Sequence, residues 1–155
     1  MKFTTDTQRG DWSDIGTHAG PFAANVFSLW LEHGTHPTDA TYAYTVFPAA
    51  TPDQTARLAA KPEMQIIANS GRQQAVYHDR LKMLGVAFYE AGKVEFAGGR
   101  AIEVDRPCAL MIRDGRVWVS NPANEAMTVK MRLDGKDLVV ELPGGDQAGS
   151  SVEVK

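Results

Sequence analysis

Two aspartates flank a tryptophan near the start of the chain, in Asp11-Trp12-Ser13-Asp14. Paired carboxylates run glycoside hydrolysis when they face each other across a scissile bond. Spacing alone does not place these two across a cleft. Asp14, just before Gly16, suits capping or closing a turn. The histidines are His18, His33, His36 and His78. His33 and His36 straddle Gly34 and approach Pro37, which puts them on a loop rather than on one helical face. A zinc site takes three or four ligands with supporting partners, so no metal site is expected. There is no glycine-rich phosphate loop and no Gly-x-Ser-x-Gly elbow, and no cofactor is expected. Cys108 is the only cysteine and lies in the apolar run 107–112. It has no disulfide partner within the chain and reads as a small buried hydrophobe.

The aromatics offer a different chemistry, stacking on pyranose rings. Trp12, Trp30, Trp118, Tyr42, Tyr44, Tyr77 and Tyr89 are the candidates. Trp30 lies in an apolar run and reads as core. Trp118 alternates with Val117 and Val119, which favours core or cross-strand packing. Trp12 sits in a polar, glycine-rich segment and is the aromatic most expected at the surface. With a polar loop near His36, and Arg72 to pair an acidic group, it completes a candidate carbohydrate-binding set of Trp12, His36 and Arg72.

The elements that must position these residues come from a chain of 155 residues, 43% hydrophobic and 23% charged, which suffices for a real core. The net charge is −3 and the basic residues are scattered, so no nucleic-acid partner is expected. The N-terminus has no apolar run of the signal-peptide kind. No stretch approaches the ~18 apolar residues of a membrane span, so no membrane partner is expected either.

Segment 22–34 is mostly apolar in its inner part, as in a strand covered on both faces. In segment 41–47, Tyr42, Tyr44 and Val46 share one face and Ala43, Thr45 and Phe47 the other. The two segments, with a loop between, read as a hairpin. Thr51, Pro52 and Gln54 form a helix start with a capping box, and Pro62 ends that helix. Lys61-Pro62-Glu63 is the natural module boundary. From Met64 onward, short strands and turns alternate. Asp114-Gly115 and Asp134-Gly135 are two-residue hairpin signals. The expected fold class is all-β, with antiparallel β-sandwich modules and one short helix.

Three groups of residues carry a resemblance. The first is Arg9-Gly10-Asp11-Trp12-Ser13-Asp14-Ile15. The second is Leu29-Trp30-Leu31-Glu32-His33-Gly34 with His36-Pro37 and 40–48. The third is Ile66-Ile67-Ala68-Asn69-Ser70 with Gln74-Ala75-Val76, then Val119-Ser120-Asn121-Pro122 and the tail from Leu142 through Gly149-Ser150. Together they resemble polysaccharide lyase family 8, the hyaluronate, chondroitin AC and xanthan lyases. The likeness covers the end of the central β domain (1–60) and the C-terminal β domain (63–155). Asn121 stands where that family often has Asp.

The resemblance implies a parent lyase, secreted or periplasmic, that cleaves an acidic polysaccharide by β-elimination. It also implies a helical domain that supplies the catalytic Asn, His, Tyr and Arg. None of those motifs is in this sequence, so no catalytic residue carries over. A base and a group neutralising the uronate are what β-elimination needs, and no local constellation announces them. His33, before Gly34, reads as a structural strand-end residue. The expected function is a non-catalytic β-sandwich portion of such a lyase, bracing its fold. The alternatives are a stand-alone carbohydrate-binding module, and an interaction module that packs on a catalytic domain and self-associates without it.

Overall fold

Alternating apolar and polar residues, punctuated by glycine turns, give a chain built mainly of antiparallel strands. The computed structural model describes residues 1–154. The chain divides into two compact units, Met1–Thr45 and Val46–Lys155.

In the first unit, β1 (Lys2–Asp11) pairs with β2 (Pro21–Trp30) from Lys2↔Trp30 to Asp11↔Pro21. A short 3₁₀ turn, Trp12–Asp14, joins them. This differs from the hairpin expected between 22–34 and 41–47, because residues 41–47 form no strand among the described residues. The alternation of Tyr42, Tyr44 and Val46 is real, but the segment joins none of the sheets among the described residues. Nor is β2 covered on both faces. Phe27 and Leu29 on one side, and Val26 and Trp30 on the other, are all exposed, Trp30 by 44%. The expectation of a core Trp30 is therefore corrected. This unit is a two-stranded ribbon with no second layer of its own to bury either face.

The second unit opens with α1 (Pro52–Ala60). Its start is the expected capping box: Gln54 N donates to Thr51 Oγ1, and Thr51 N donates to Gln54 Oε1 at 2.8 Å. Lys61 caps the other end, before Pro62.

The remaining strands are β3 (Met64–Asn69), β4 (Gln73–His78), β5 (Met83–Phe88), β6 (Gly92–Phe96), β7 (Arg100–Val104), β8 (Cys108–Arg113), β9 (Arg116–Ser120), β10 (Met127–Leu133), β11 (Lys136–Leu142) and β12 (Val152–Val154). They form a six-stranded sheet, β12-β9-β8-β5-β4-β3, and a four-stranded sheet, β11-β10-β7-β6. Inward residues of both sheets make the core. Leu84, Cys108, Ile112 and Val119 come from the first sheet, and Val94, Ile102 and Val129 from the second. Each large side chain so buried contributes about 1.5–3 kcal/mol. The hairpins β8–β9 and β10–β11 turn on Asp114-Gly115 (φ 50° and 76°) and Asp134-Gly135 (φ 51° and 83°). Positive φ at both positions is the turn geometry that matches strand twist. The all-β sandwich with one helix is the fold class expected from the sequence.

Candidate functional site

Asp11 organises the loop that presents Trp12. Its carboxylate accepts from Ser13 N at 2.9 Å, Ser13 Oγ at 2.7 Å and Gly20 N at 3.0 Å. Trp12 N in turn donates to the Gly20 carbonyl at 3.2 Å. The Ser13 backbone N–H and hydroxyl, with the Gly20 N–H, hold the Asp11 carboxyl below its ordinary value. Asp11 is thus an ionised turn hub, suited to closing the loop rather than to donating a proton. The turn role expected of Asp14 belongs to Asp11. The Asp-x-Ser spacing was the available signal, since Asp commonly hydrogen-bonds the backbone two residues on.

Trp12 is 47% exposed, and its ring lies 5.2 Å from that of Phe22 at 47°. Phe22 supports one aromatic that remains available at the surface.

His36 is exposed on the irregular segment after β2 and adopts φ 53°. Nearby, the His33 ring lies 6.5 Å from Tyr42, and Tyr42 stacks on Tyr44 at 6.4 Å and 11°. Both tyrosines are exposed. Placing them two apart in an extended stretch puts them on one side of the chain.

Arg72 lies in the turn between β3 and β4, where its carbonyl accepts from Tyr89 N at 3.0 Å. Its guanidinium pairs with Glu90. Arg72 therefore already has a carboxylate partner, in an exposed pair of small energetic worth. Trp12 and His36 lie on different loops of the first unit and Arg72 in the second, so no one element gathers the three.

Cys108 is buried in the sandwich core, and burial pushes its thiol up to about 11, with Asp105 adding to the shift. Such a thiol is inert at neutral pH. Among the described residues, no three His, Cys, Asp or Glu side chains group as metal ligands. No helix is long and apolar enough to cross a membrane. A shallow groove of about 410 Å³ crosses the four-stranded sheet between Glu103, Lys130, Arg132 and Asp137. Arg132 there is bonded to Asp137 at 2.6 Å, and Asp105 accepts from Lys130 N at 2.9 Å. Of the charged side chains lining the groove, Arg132 and Asp137 satisfy each other.

Comparison with known proteins places these loops and sheets. Residues 1–59 match the super-sandwich domain of polysaccharide lyase family 8, and residues 65–130 match the family's C-terminal β-sandwich domain. A chondroitinase AC of Pedobacter heparinus is 32% identical over 167 residues, covering 100% of this chain and 24% of that protein. A hyaluronate lyase of Thermasporomyces composti is 34% identical over 134 residues, covering 81% of this chain and 16% of that protein. Among solved structures, a chondroitinase AC lyase superposes with a TM-score of 0.82 at 32% identity, over 97% of this chain and 24% of that one. A Streptomyces coelicolor A3 chondroitin AC lyase mutant superposes with a TM-score of 0.76 at 25% identity, over 99% of this chain and 23% of that one. The chain thus spans a quarter or less of the length of these relatives. With two domains of one family matched in chain order over most of its length, the chain belongs to polysaccharide lyase family 8.

Proposed function

We propose that this chain is a non-catalytic β-sandwich portion of a polysaccharide lyase acting on uronic-acid-containing glycans. Residues 1–60 would be the end of the central β domain and residues 63–155 the C-terminal β domain. The parent enzyme would be secreted or periplasmic. The observation that carries the reading is the match, in order, to two β domains of a lyase family. The relatives named for chondroitin and hyaluronate supply the substrate class.

In this reading the chain braces the lyase fold. One face of the first unit's ribbon, with Phe3, Phe27 and Leu29 exposed, is the surface offered to further lyase structure. Trp12 is a contact for the glycan, and His36 and Arg72 are secondary contacts. Trp12 favours this role because it is an exposed aromatic on a loop fixed by four hydrogen bonds.

The test is an eliminase assay on the purified chain with hyaluronan, chondroitin sulfates and xanthan. It follows the ultraviolet absorbance of unsaturated uronate products. No product is expected. Product formation above an inactive protein control overturns the non-catalytic reading and directs mutagenesis to His33, His36, Tyr42 and Tyr44.

A further inference from the structure

The outward face of the six-stranded sheet departs from what a solvated sheet should show. An antiparallel sheet with one face on the core normally turns polar residues outward on the other. Here a single row runs straight across five strands in register: Ile66↔Val76, Val76↔Gly85, Gly85↔Met111 and Met111↔Trp118. Ile66 is 55% exposed, Val76 40% and Met111 37%, and Trp118 is half-buried beside them. Ala87 and Ala109, also paired across strands, lie in the adjoining row. Five strands span about 19 Å at the usual ~4.8 Å spacing, room for an oligosaccharide rather than a single sugar.

Gly85 is the second anomaly. It lies mid-strand in β5 without positive φ, and a Cβ built on it meets nothing within 4 Å. Neither conformation nor packing requires glycine there, and glycine in a strand interior costs stability relative to alanine. Glycine at such a place marks close approach of a ligand or another backbone. It leaves a flat floor between Val76 and Met111.

Charge supplies the third. Arg113 and Arg116 pair directly opposite each other across β8–β9, one row beyond Met111 and Trp118. Like charges facing across strands are unfavourable. Among the described residues, each is offset by an exposed neighbour, Asp114 at 3.3 Å and Glu153 at 3.7 Å. Such exposed pairs are weak and exchange readily for a carboxylate or sulfate that both guanidiniums share.

We infer that this sheet face binds an anionic glycan strand, its rings lying on Val76, Gly85, Met111 and Trp118 and an acidic group held by Arg113 and Arg116. The inference rests on the substrate class proposed above and adds a second contact surface, in the second unit, to the Trp12 contact in the first.

The test is titration calorimetry of the full 155-residue chain with hyaluronan and chondroitin sulfate oligosaccharides, with neutral dextran oligosaccharides as control. Saturable heat is expected with the anionic sugars only, weakening as salt rises. Gly85→Val should fold and melt no lower than the parent chain, yet lose about tenfold or more in affinity, a readout that misfolding would not mimic. Gly85→Ala, the milder change, should do the same more weakly. Arg113→Gln with Arg116→Gln should remove the anion preference, and Trp118→Ala the binding. Binding that survives Gly85→Val but falls with Trp12→Ala overturns the face while leaving the glycan reading intact. No heat with any sugar overturns both. A parent chain that elutes as a dimer and becomes monomeric with Gly85→Val overturns the glycan in favour of a second copy of this chain.

Discussion

Asp11 and Cys108 show the same residue-level rule from opposite sides: hydrogen bonds to a charge favour ionisation, and burial opposes it. Asp11 gains acceptor bonds in the folded loop, so its folded pKa lies below its unfolded value. Its contribution is present above the unfolded value and is lost as pH falls through the folded one. Acidification should therefore release the Trp12 loop before the sandwich melts. The indole N–H resonance of Trp12 should shift in that acidic window, and Asp11→Ala should produce the released spectrum at neutral pH. An unchanged Trp12 resonance in Asp11→Ala would show that the hydrogen bonds do not set the loop.

Cys108 behaves in the reverse sense. The unfolded thiol ionises near 9.0 and the folded one near 11, so stability is lost as pH rises across that interval. By the relation of 1.36 kcal/mol per unit, the loss amounts to about 3 kcal/mol. Subtracting the pH dependence of Cys108→Ala, measured by urea unfolding, isolates this contribution. Native Cys108 should also resist thiol reagents at neutral pH until the sandwich opens.

At the scale of elements, the turns carry most of the specification. Gly135 adopts φ 83° in the β10–β11 turn, and Asp134 beside it accepts from Ala101 N at 3.0 Å and Arg100 Nε at 2.9 Å. A β-carbon in left-handed geometry is strained. Gly135→Ala should therefore lower unfolding stability by about 1–2 kcal/mol, the opposite sign to Gly85→Ala. Thr51→Ala removes the helix cap and should cost about 1 kcal/mol locally, seen as faster hydrogen exchange of the α1 amides with little change in the sandwich.

These same elements were legible in the sequence because each carries its own local signal, a capping box or an Asp-Gly turn between alternating strands. The first unit was not legible in that way. β1 reads Lys-Phe-Thr-Thr-Asp-Thr-Gln-Arg-Gly-Asp, with Phe3 as its only large apolar side chain, so it shows no alternation. Segment 41–47 alternates well and yet forms no strand. A strand exists by virtue of a partner, and the partner is not written in the strand itself. The candidate site divides likewise. Trp12 was readable from its polar surroundings, whereas the Gly85 row needed the register of five strands before its members became neighbours.

At the scale of the whole molecule, the core is unevenly shared. Every fully buried large side chain lies in the second unit, and the described residues of the first unit are exposed or at most half-buried. A two-stranded ribbon with no buried face is marginal in water, while a sandwich whose two sheets share Leu84, Ile102, Ile112 and Val119 is cooperative. Opening free energies should therefore differ sharply along the chain. Amides of β1 and β2 should exchange within the dead time or nearly so, and those of β4, β5 and β8 only on global unfolding. Limited proteolysis should cut first in the irregular residues 31–50, which lack strand or helix hydrogen bonding, and leave a protected product beginning near the helix. Leu84→Ala, which opens a cavity at a fully buried site, should cost about 2–5 kcal/mol and accelerate exchange throughout the second unit while leaving β1 and β2 unchanged. If β1 and β2 instead exchange in step with β4 and β5, the ribbon is stabilised by the sandwich rather than standing as a separate, weak unit.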